Sequence, residues 1–523
     1  MKKLLMISLF MLTILFLNAC EESNGLGDDG NDQIEDSNPG SDDNVDGNLG
    51  DTLSFSLLTV NDLHGHVEQD EYGQGGISNT AYLIDEARDN VDTSVLLANG
   101  DMFQGTAISN MTEGEAVVNM MNMMNFDAMG IGNHEFDWSI DTILNYFDND
   151  ITNGEANFPL LNANIYNHDD TLLTVNDGNV FESYIVEKEG ISIGILSYVG
   201  DIYTSIAYTE VQDYYFDLDI AQSVETLSID LKDQGADAIV VNIHGGNVGS
   251  IENYNYNKQI SALKDPQGDY LVDVVVNGHT HQKQTGMIFR DQGTPLMLVQ
   301  AGGNNEAIGV VDFTFETSDM SITSYDVSLI DVEDAKSNYN KQIETYIQDV
   351  NSGLGTVNLT LSNETITDRY IISDWITNVM LAATDADVAI SNYGGIRSTA
   401  NITNGEYVTL AQMYEVFPFD NTIWIVEASY EEFSFLLNNS SLHYTTKNNM
   451  LLNQNETYKV AINSYIYYWD DLDDLRSLDD IDTALYMRDL LIDDLTLKGE
   501  LNILFNPSVN SSATITSYVN SNE

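Results

Sequence analysis

Ala128-Met129-Gly130-Ile131-Gly132-Asn133-His134-Glu135-Phe136-Asp137 opens apolar and closes polar. Ala128 to Ile131 has the length and composition of a buried strand, and Gly132 interrupts it. An amide, an imidazole and two carboxyl groups follow at once. The same grammar recurs along the chain. Phe55 to Val60 runs into Asn61-Asp62-Leu63-His64-Gly65-His66, and Val95 to Ala98 into Asn99-Gly100-Asp101. Ala238 to Ile243 runs into His244-Gly245-Gly246-Asn247, and Val272 to Val276 into Asn277-Gly278-His279-Thr280-His281. Helical candidates lie between these runs, Ile77 to Arg88 and Gly114 to Met124. Strands alternating with helices predict an α/β fold. In such folds ligands bind beyond the carboxyl ends of the strands, where these clusters stand.

The chain has 8 histidines, and His64, His66, His134, His244, His279 and His281 all fall in the clusters. Any one alone reads as an ordinary loop or core residue. Their recurrence at separate strand ends points to one shared site. Phosphoester hydrolysis needs charge neutralisation, an activated water and help for the leaving oxygen, and two divalent metals about 3.5–4 Å apart supply all three. Mixed Asp, His and Asn donors suit Zn, Mn, Co or Fe, whereas all-oxygen sets suit Mg or Ca. The single cysteine, Cys20, excludes the common cysteine-bound structural zinc sites and any intramolecular disulfide.

With 523 residues the chain has room for two or three domains, and 43% hydrophobic content allows sizeable cores. Its formal net charge of -65, from 18 basic against 83 acidic residues, repels nucleic acid and anionic membrane surfaces. A solvated acidic surface or adaptation to salt both account for it. A metal site can still accept an anion by inverting the field locally.

Met1-Lys2-Lys3 and the apolar run 4–17 read as a signal segment, too short for a comfortable membrane span. Leu17-Asn18-Ala19-Cys20 resembles a bacterial lipoprotein cleavage box, which implies lipidation of Cys20 after removal of 1–20. A plain secretory signal or an uncleaved anchor are the alternatives. All three put the protein outside the cytoplasm. Residues 21–51 are Asp, Asn, Gly, Glu and Ser with almost no large apolar side chains, and predict a flexible tether.

Taken in order, Asp62-x-His64, Gly100-Asp101, Gly132-Asn133-His134-Glu135, His244 and Gly278-His279-Thr280-His281 resemble the blocks of the calcineurin-like metallophosphoesterases. Gly100-Asp101-Met102-Phe103-Gln104-Gly105-Thr106, Gly132 to Asp137 and Phe158-Pro159-Leu160-Leu161-Asn162-Ala163-Asn164-Ile165 narrow the resemblance to the bacterial 5'-nucleotidase family. The resemblance implies a four-layer-type α/β sandwich over 52–330, with two divalent metal ions. Asp62, His64 and His281 would hold one, Asn133, His244 and His279 the other, and Asp101 would bridge them. Gln is often found in the family where His281 stands. His134, paired with Asp137, would contact the transferred phosphoryl rather than a metal. An Asp137 that caps a helix is the alternative. His66 either supports the ligands or lines the entrance, with an exposed loop histidine as the alternative.

Residues 331–355 are expected to form a linker helix, with the hinge for a family-type domain rotation within 331–352. An α/β nucleotide-binding domain is expected over 356–516. Ser391-Asn392-Tyr393-Gly394-Gly395-Ile396-Arg397 resembles the family's Asn-x-Gly-Gly-Ile-Arg block, and Val416-Phe417-Pro418-Phe419-Asp420-Asn421 the block whose aromatic stacks on the base. Asn392, Gly394, Arg397 and Phe419 are the substrate-binding residues this implies. Arg369 stands near another substrate arginine, although Ile372-Ser373-Asp374 departs from the usual Leu-Gly-Asn. The glycine-rich stretch expected near the second stacking aromatic is absent from Ser464 to Asp471, where Tyr468, or else Trp469, is the candidate. The expectation is a monomeric enzyme, lipid-anchored at the outer or periplasmic face of the cell membrane. It would hydrolyse nucleotide phosphoesters to phosphate and nucleoside by attack of metal-activated water. A 2',3'-cyclic-nucleotide phosphodiesterase or UDP-sugar hydrolase, and a non-catalytic nucleotide-binding lipoprotein, are the other readings.

Overall fold

Each of the apolar runs singled out above is or overlaps a strand in the computed structural model, and the strands assemble into two facing sheets. Residues 51–507 are described, apart from 71, 153, 203–204, 207, 246–255, 292, 367, 398–401, 420, 470–471, 473–475 and 477–479. The expected leader, Cys20 and nearly all of the tether lie outside the described residues.

The first sheet has seven strands in the order Ser321–Asp331, Ala307–Glu316, Thr52–Val60, Thr93–Asn99, Ala128–Gly130, Leu160–Leu161, Val180–Phe181. The second has six, Lys283–Ile288, Leu296–Ala301, Val274–Asn277, Ala238–His244, Ile191–Val199, Ser183–Lys188. Thr52–Val60, Thr93–Asn99 and Ala128–Gly130 run parallel, as do Ile191–Val199, Ala238–His244 and Val274–Asn277.

These strands are apolar on both faces because both faces are covered. Phe55, Leu57, Val95 and Leu97 meet Ile193, Ile195, Val240 and Val276 between the sheets. Leu58 and Val60 face the other way, against Ile84 of the helix Ile77–Arg88 and Val117 and Met121 of Glu115–Met123. Ile239 and Val241 pack on Val224 and Leu231 of the helix Ile220–Asp233. The result is a helix–sheet–sheet–helix sandwich, the four-layer α/β class.

The segment expected to be one linker helix is more divided. The last strand runs to Asp331, a short 3-10 turn covers Val332–Ala335, and the helix itself is Lys341–Leu354. Asn340 caps it by accepting from the Gln342 and Ile343 amides. Ile343 and Ile347 are buried in the first body's core, with Tyr346, Val350 and Leu354 beside them. This apolar stripe at helical spacing docks the helix onto the first body. The helix stops at Gly355, whose φ of 70° suits a residue without Cβ.

The second body has a five-stranded sheet in the order Leu442–Thr446, Val388–Asn392, Thr457–Asn463, Thr422–Ser429, Ile481–Tyr486. One face packs on Trp375, Ile376 and Val379 of the helix Arg369–Ala383 and on Leu491 and Leu495 of Met487–Glu500. The other packs on Phe433 and Leu436 of Tyr430–Leu437. No helix among the described residues is long and apolar enough to cross a membrane.

Candidate metal centre

The carboxyl ends of the parallel strands bring all seven expected ligand residues to one rim. One carboxylate oxygen or ring nitrogen from each of Asp62, His64 and His281 lies within 4.8 Å of the others, and the same holds for Asp101, His244 and His279. Asn133 joins the second group, its Oδ1 accepting from His279 Nδ1 at 2.8 Å. His134 also lies within the same reach of His64 and Asp101.

The backbone is bent to achieve this. Asp62, His64, Asp101, His279 and His281 all have left-handed φ between 49° and 75°. Such conformations cost about 1–3 kcal/mol each in non-glycine residues and collect at functional sites. Close approach explains two of the glycines. A Cβ on Gly132 would stand 2.3 Å from Asp101 Oδ1, and one on Gly278 2.7 Å from His244 Nδ1.

Hydrogen bonds aim the donors inward. His64 Nδ1 donates to the Gln104 carbonyl at 3.0 Å, and His244 Nδ1 to the Asn99 carbonyl at 2.8 Å. Both rings are thereby fixed with Nε2 turned to the centre, the usual tautomer control of a metal-binding histidine. His64 Nε2 then faces His281 Nε2 at 3.0 Å. His244 Nε2 lies 3.0 Å from Asp101 Oδ2 without the alignment of a hydrogen bond.

The electrostatics call for a cation. Burial pushes the Asp62 carboxyl up, against the pull of His244. Burial works against a charged His244, but Asp101 and Asp62 outweigh it and lift that ring to about 10. A proton on His244 thus does for these carboxylates what a divalent ion would do. His279, lowered by burial and His244 to about 4, and His281, lowered by burial, keep free lone pairs. Neutral imidazoles, two buried carboxylates and an amide oxygen fit divalent ions of the borderline class.

His134 Nδ1 donates to Asp137 Oδ2 at 2.8 Å. Burial opposes its charge, but Asp137 and Asp101 hold it up at about 9. Cations beside Asp101 would cancel part of that pull. Asp137 closes the 3-10 turn His134–Phe136 rather than opening a helix, so the capping alternative does not apply. His66 is half-buried, and burial, His281 and Arg397 lower it to about 4.

A residue of the motif that carried no expected role organises the rim. The fully buried Glu135 accepts from the Asp101, Met102 and Gly132 amides at 2.8, 2.9 and 2.7 Å. The signal was present, since a carboxylate among glycines at a strand end has only backbone donors to meet.

A cavity of 460 Å³ joins the rim to the second body. Asn133, His134, Asp137 and His279 form one wall, and Asn392, Gly394, Gly395, Arg397 and Phe419 another. Two expected substrate residues are elsewhere. The Arg369 guanidinium lies 5.7 Å over the Tyr370 ring at the start of its helix, away from the cavity lining. Tyr468 packs edge-on against Trp424 and Tyr467, and Tyr465 lines the cavity instead. The reason is local. Asn463 caps the short helix Ser464–Tyr467, which commits Tyr467 to stacking on Trp424 at 4.0 Å and turns Tyr465 outward.

Residues 55–283 match the family model described as Calcineurin-like phosphoesterase, and residues 353–450 that described as 5'-nucleotidase, C-terminal domain. The cell wall protein Lmo0130 of Listeria monocytogenes is 27% identical over 495 residues, spanning 81% of this chain and 59% of that protein. A 5'-nucleotidase of Vibrio parahaemolyticus is 26% identical over 440 residues, 74% of each chain. The crystal structure of a 5'-nucleotidase precursor from Thermus thermophilus shares the fold, with a TM-score of 0.65 at 20% identity, covering 86% of this chain and 97% of that one. The two family models fall in order on the two bodies, the first of them on the sandwich that carries the rim: the chain is a phosphoester hydrolase with a calcineurin-like phosphoesterase domain and a 5'-nucleotidase C-terminal domain.

Proposed function

We propose that this chain hydrolyses nucleotide phosphoesters to phosphate and nucleoside, as a monomer lipid-anchored through Cys20 on the outer side of the membrane. The observation that carries the catalytic reading is the shared cavity, with cation-demanding donors on one wall and an arginine and an aromatic ring on the other. A nucleotide has the same two ends. The relatives named 5'-nucleotidase support this reading.

Asp62, His64 and His281 would hold one ion, and Asn133, His244 and His279 a second, with Asp101 between them. Bound there, the ions supply charge neutralisation and Lewis acidity for in-line displacement at phosphorus. Asp137 fixes His134 through Nδ1, so its Nε2 meets the leaving oxygen and gives up a proton or stabilises charge there. Arg397 forks onto phosphate oxygens. Phe419 and Tyr465 flank the base, and Asn392 contacts the sugar.

The test is a chelator-stripped full-length protein reloaded with Mn, Zn, Co or Fe and assayed on AMP, ATP, UDP-glucose, 2',3'-cyclic AMP and bis-p-nitrophenyl phosphate. Phosphate release from AMP is expected. Failure on every substrate with every metal overturns the reading, and turnover of only the cyclic or sugar nucleotide reassigns the substrate. Cys20→Ser should release the protein from membranes, and its retention there would remove the anchor.

A further inference from the structure

The turn Asn392–Arg397 carries the end of one strand of the second body's sheet to the cavity, and it is held from two sides. From inside, Asn463 Nδ2 donates to Asn392 Oδ1 at 2.8 Å. The Asn392 amide then fills the space against the glycines, where an added Cβ on Gly394 or Gly395 would meet it at 3.4 or 3.3 Å. From outside, Tyr393 Oη donates to His443 Nδ1 at 3.3 Å, and His443 Nε2 donates to Asp374 Oδ1 at 2.8 Å. The neutral Nε2–H tautomer satisfies both bonds at once. Asp374 belongs to the helix Arg369–Ala383, His443 to the edge strand Leu442–Thr446 and Tyr393 to the turn, so the bonds join three separate elements. Tyr370 closes the set, its ring edge-on to Tyr393 with centroids 4.4 Å apart.

We propose that Asp374, His443 and Tyr393 form a hydrogen-bonded relay that positions the Asn392–Arg397 turn, and with it the Arg397 guanidinium, against the cavity. The proposal rests on reading that cavity as the nucleotide site. None of the three residues lines it, so they are positioning residues. The need for such a hold comes from the sequence of the turn. Its backbone is tied at Tyr393, whose amide donates to the Ser441 carbonyl, and again at Arg397, whose amide donates to Val416, both at 3.0 Å. Between them stand Gly394 and Gly395, the residues with the most backbone freedom. A planar fork gains from binding only when its direction is fixed. The outer bonds are partly exposed, with side-chain exposures of 22% for His443 and 62% for Asp374. Their loss therefore leaves the core beneath the turn intact.

The test compares metal-loaded wild type with His443→Ala, Tyr393→Phe and the double variant, on AMP and on bis-p-nitrophenyl phosphate. Each single change should raise KM for AMP about two- to tenfold, the factor set by one hydrogen bond, with kcat kept. The double variant should be no worse than either single one, because both break one relay. His443→Gln, whose amide can donate to Asp374 and accept from Tyr393, should restore most of the lost affinity. The aryl phosphate carries the oxygens that Arg397 is assigned to meet, so its KM should rise as well, while the melting temperature should not move. An unchanged KM for AMP, additive effects in the double variant, or a loss that only tracks a lowered melting temperature overturns the relay. A wild type inactive on every nucleotide tried takes the cavity reading down with it, whereas a wild type active on a nucleotide with variants insensitive on that substrate removes the relay alone.

Discussion

His134 and Phe419 lie face to face, their ring centroids 6.0 Å apart and their planes 29° from parallel. One ring belongs to the strand-end cluster of the first body and the other to the second body. The Arg397 guanidinium sits 4.9 Å from the centroid of the same phenyl ring. Phe419 therefore touches the residue assigned to the leaving oxygen and the residue assigned to phosphate oxygens. Beyond the platform for a base proposed for it, Phe419 packs His134 of one body against Arg397 of the other.

Removing the ring should separate those contributions. Phe419→Ala is expected to raise KM for AMP roughly tenfold, since stacking of a base on an aromatic ring contributes about 1–3 kcal/mol. A smaller fall in kcat should accompany it, because His134 loses its neighbour. Phe419→Tyr should keep both constants near wild type. Steady-state kinetics on AMP and on bis-p-nitrophenyl phosphate decide the matter, and equal KM changes on the two substrates would take Phe419 out of base recognition.

Asp101 lies at the centre of the rim. Its Oδ1 accepts from the His134 amide at 2.7 Å, and its Oδ2 stands 3.0 Å from His244 Nε2 and 3.9 Å from His64 Nε2. Asp101→Asn keeps the shape and removes the charge that the surrounding donors share. Turnover should fall by more than about a hundredfold, and bound metal measured by mass spectrometry should drop in parallel. Full metal content with wild-type activity would mean that the bridging role is misassigned.

Glu135 makes a prediction that its motif alone did not suggest. Its carboxylate accepts from three backbone amides that shape the turns carrying Asp101 and Asn133. Glu135→Gln brings an amide N–H toward donors and leaves at least one of them unmatched, at a cost of about 1–3 kcal/mol. The melting temperature should fall, and metal affinity measured by calorimetry should fall with it. Glu135→Asp should behave similarly, because the shorter side chain cannot span the same three amides. Unchanged stability and affinity in both variants would make the residue dispensable.

Much of this site was legible in the sequence because strand ends advertise themselves. Apolar runs buried on both faces, such as Phe55 to Val60, stop where glycine or a polar cluster begins, and the topology of parallel strands gathers those ends. What the pattern could not carry was geometry set by single contacts. Nothing in the spacing distinguishes Tyr465 from Tyr468, because the choice depends on the Asn463 cap and on Trp424 claiming Tyr467. The helix Lys341–Leu354 reads as an acidic linker by composition, yet Ile343 and Ile347 on one stripe dock it to the first body. Arg369 illustrates the same limit, since proximity in sequence to a substrate motif does not fix which way a first-turn side chain points.

Glu415 gives the contact between the bodies a pH dependence. It lies on the helix Leu410–Val416, which packs on the helix Ala107–Met111 of the first body, where Asn110 Nδ2 donates to the Tyr414 carbonyl at 3.4 Å. Burial, and then the Glu68 carboxylate, raise Glu415 from the ordinary 4.5 to about 7. Glu68 is itself held, accepting from Asn351 Nδ2 at 2.6 Å at the end of the docked helix. A raised carboxyl means that the native state binds its proton more tightly than the unfolded chain does. The stabilising proton is fully present below the unfolded value of 4.5 and is lost as pH rises through about 7. Stability should therefore fall across that window and level off above it. The large acidic surface adds its own trend with pH, so the informative quantity is a difference. Glu415→Gln removes the titrating group and keeps the shape, and its melting temperature should fall less than that of wild type between about pH 5 and about pH 8. Parallel curves for the two proteins across that range would show that the Glu415 carboxyl carries no proton into the interface.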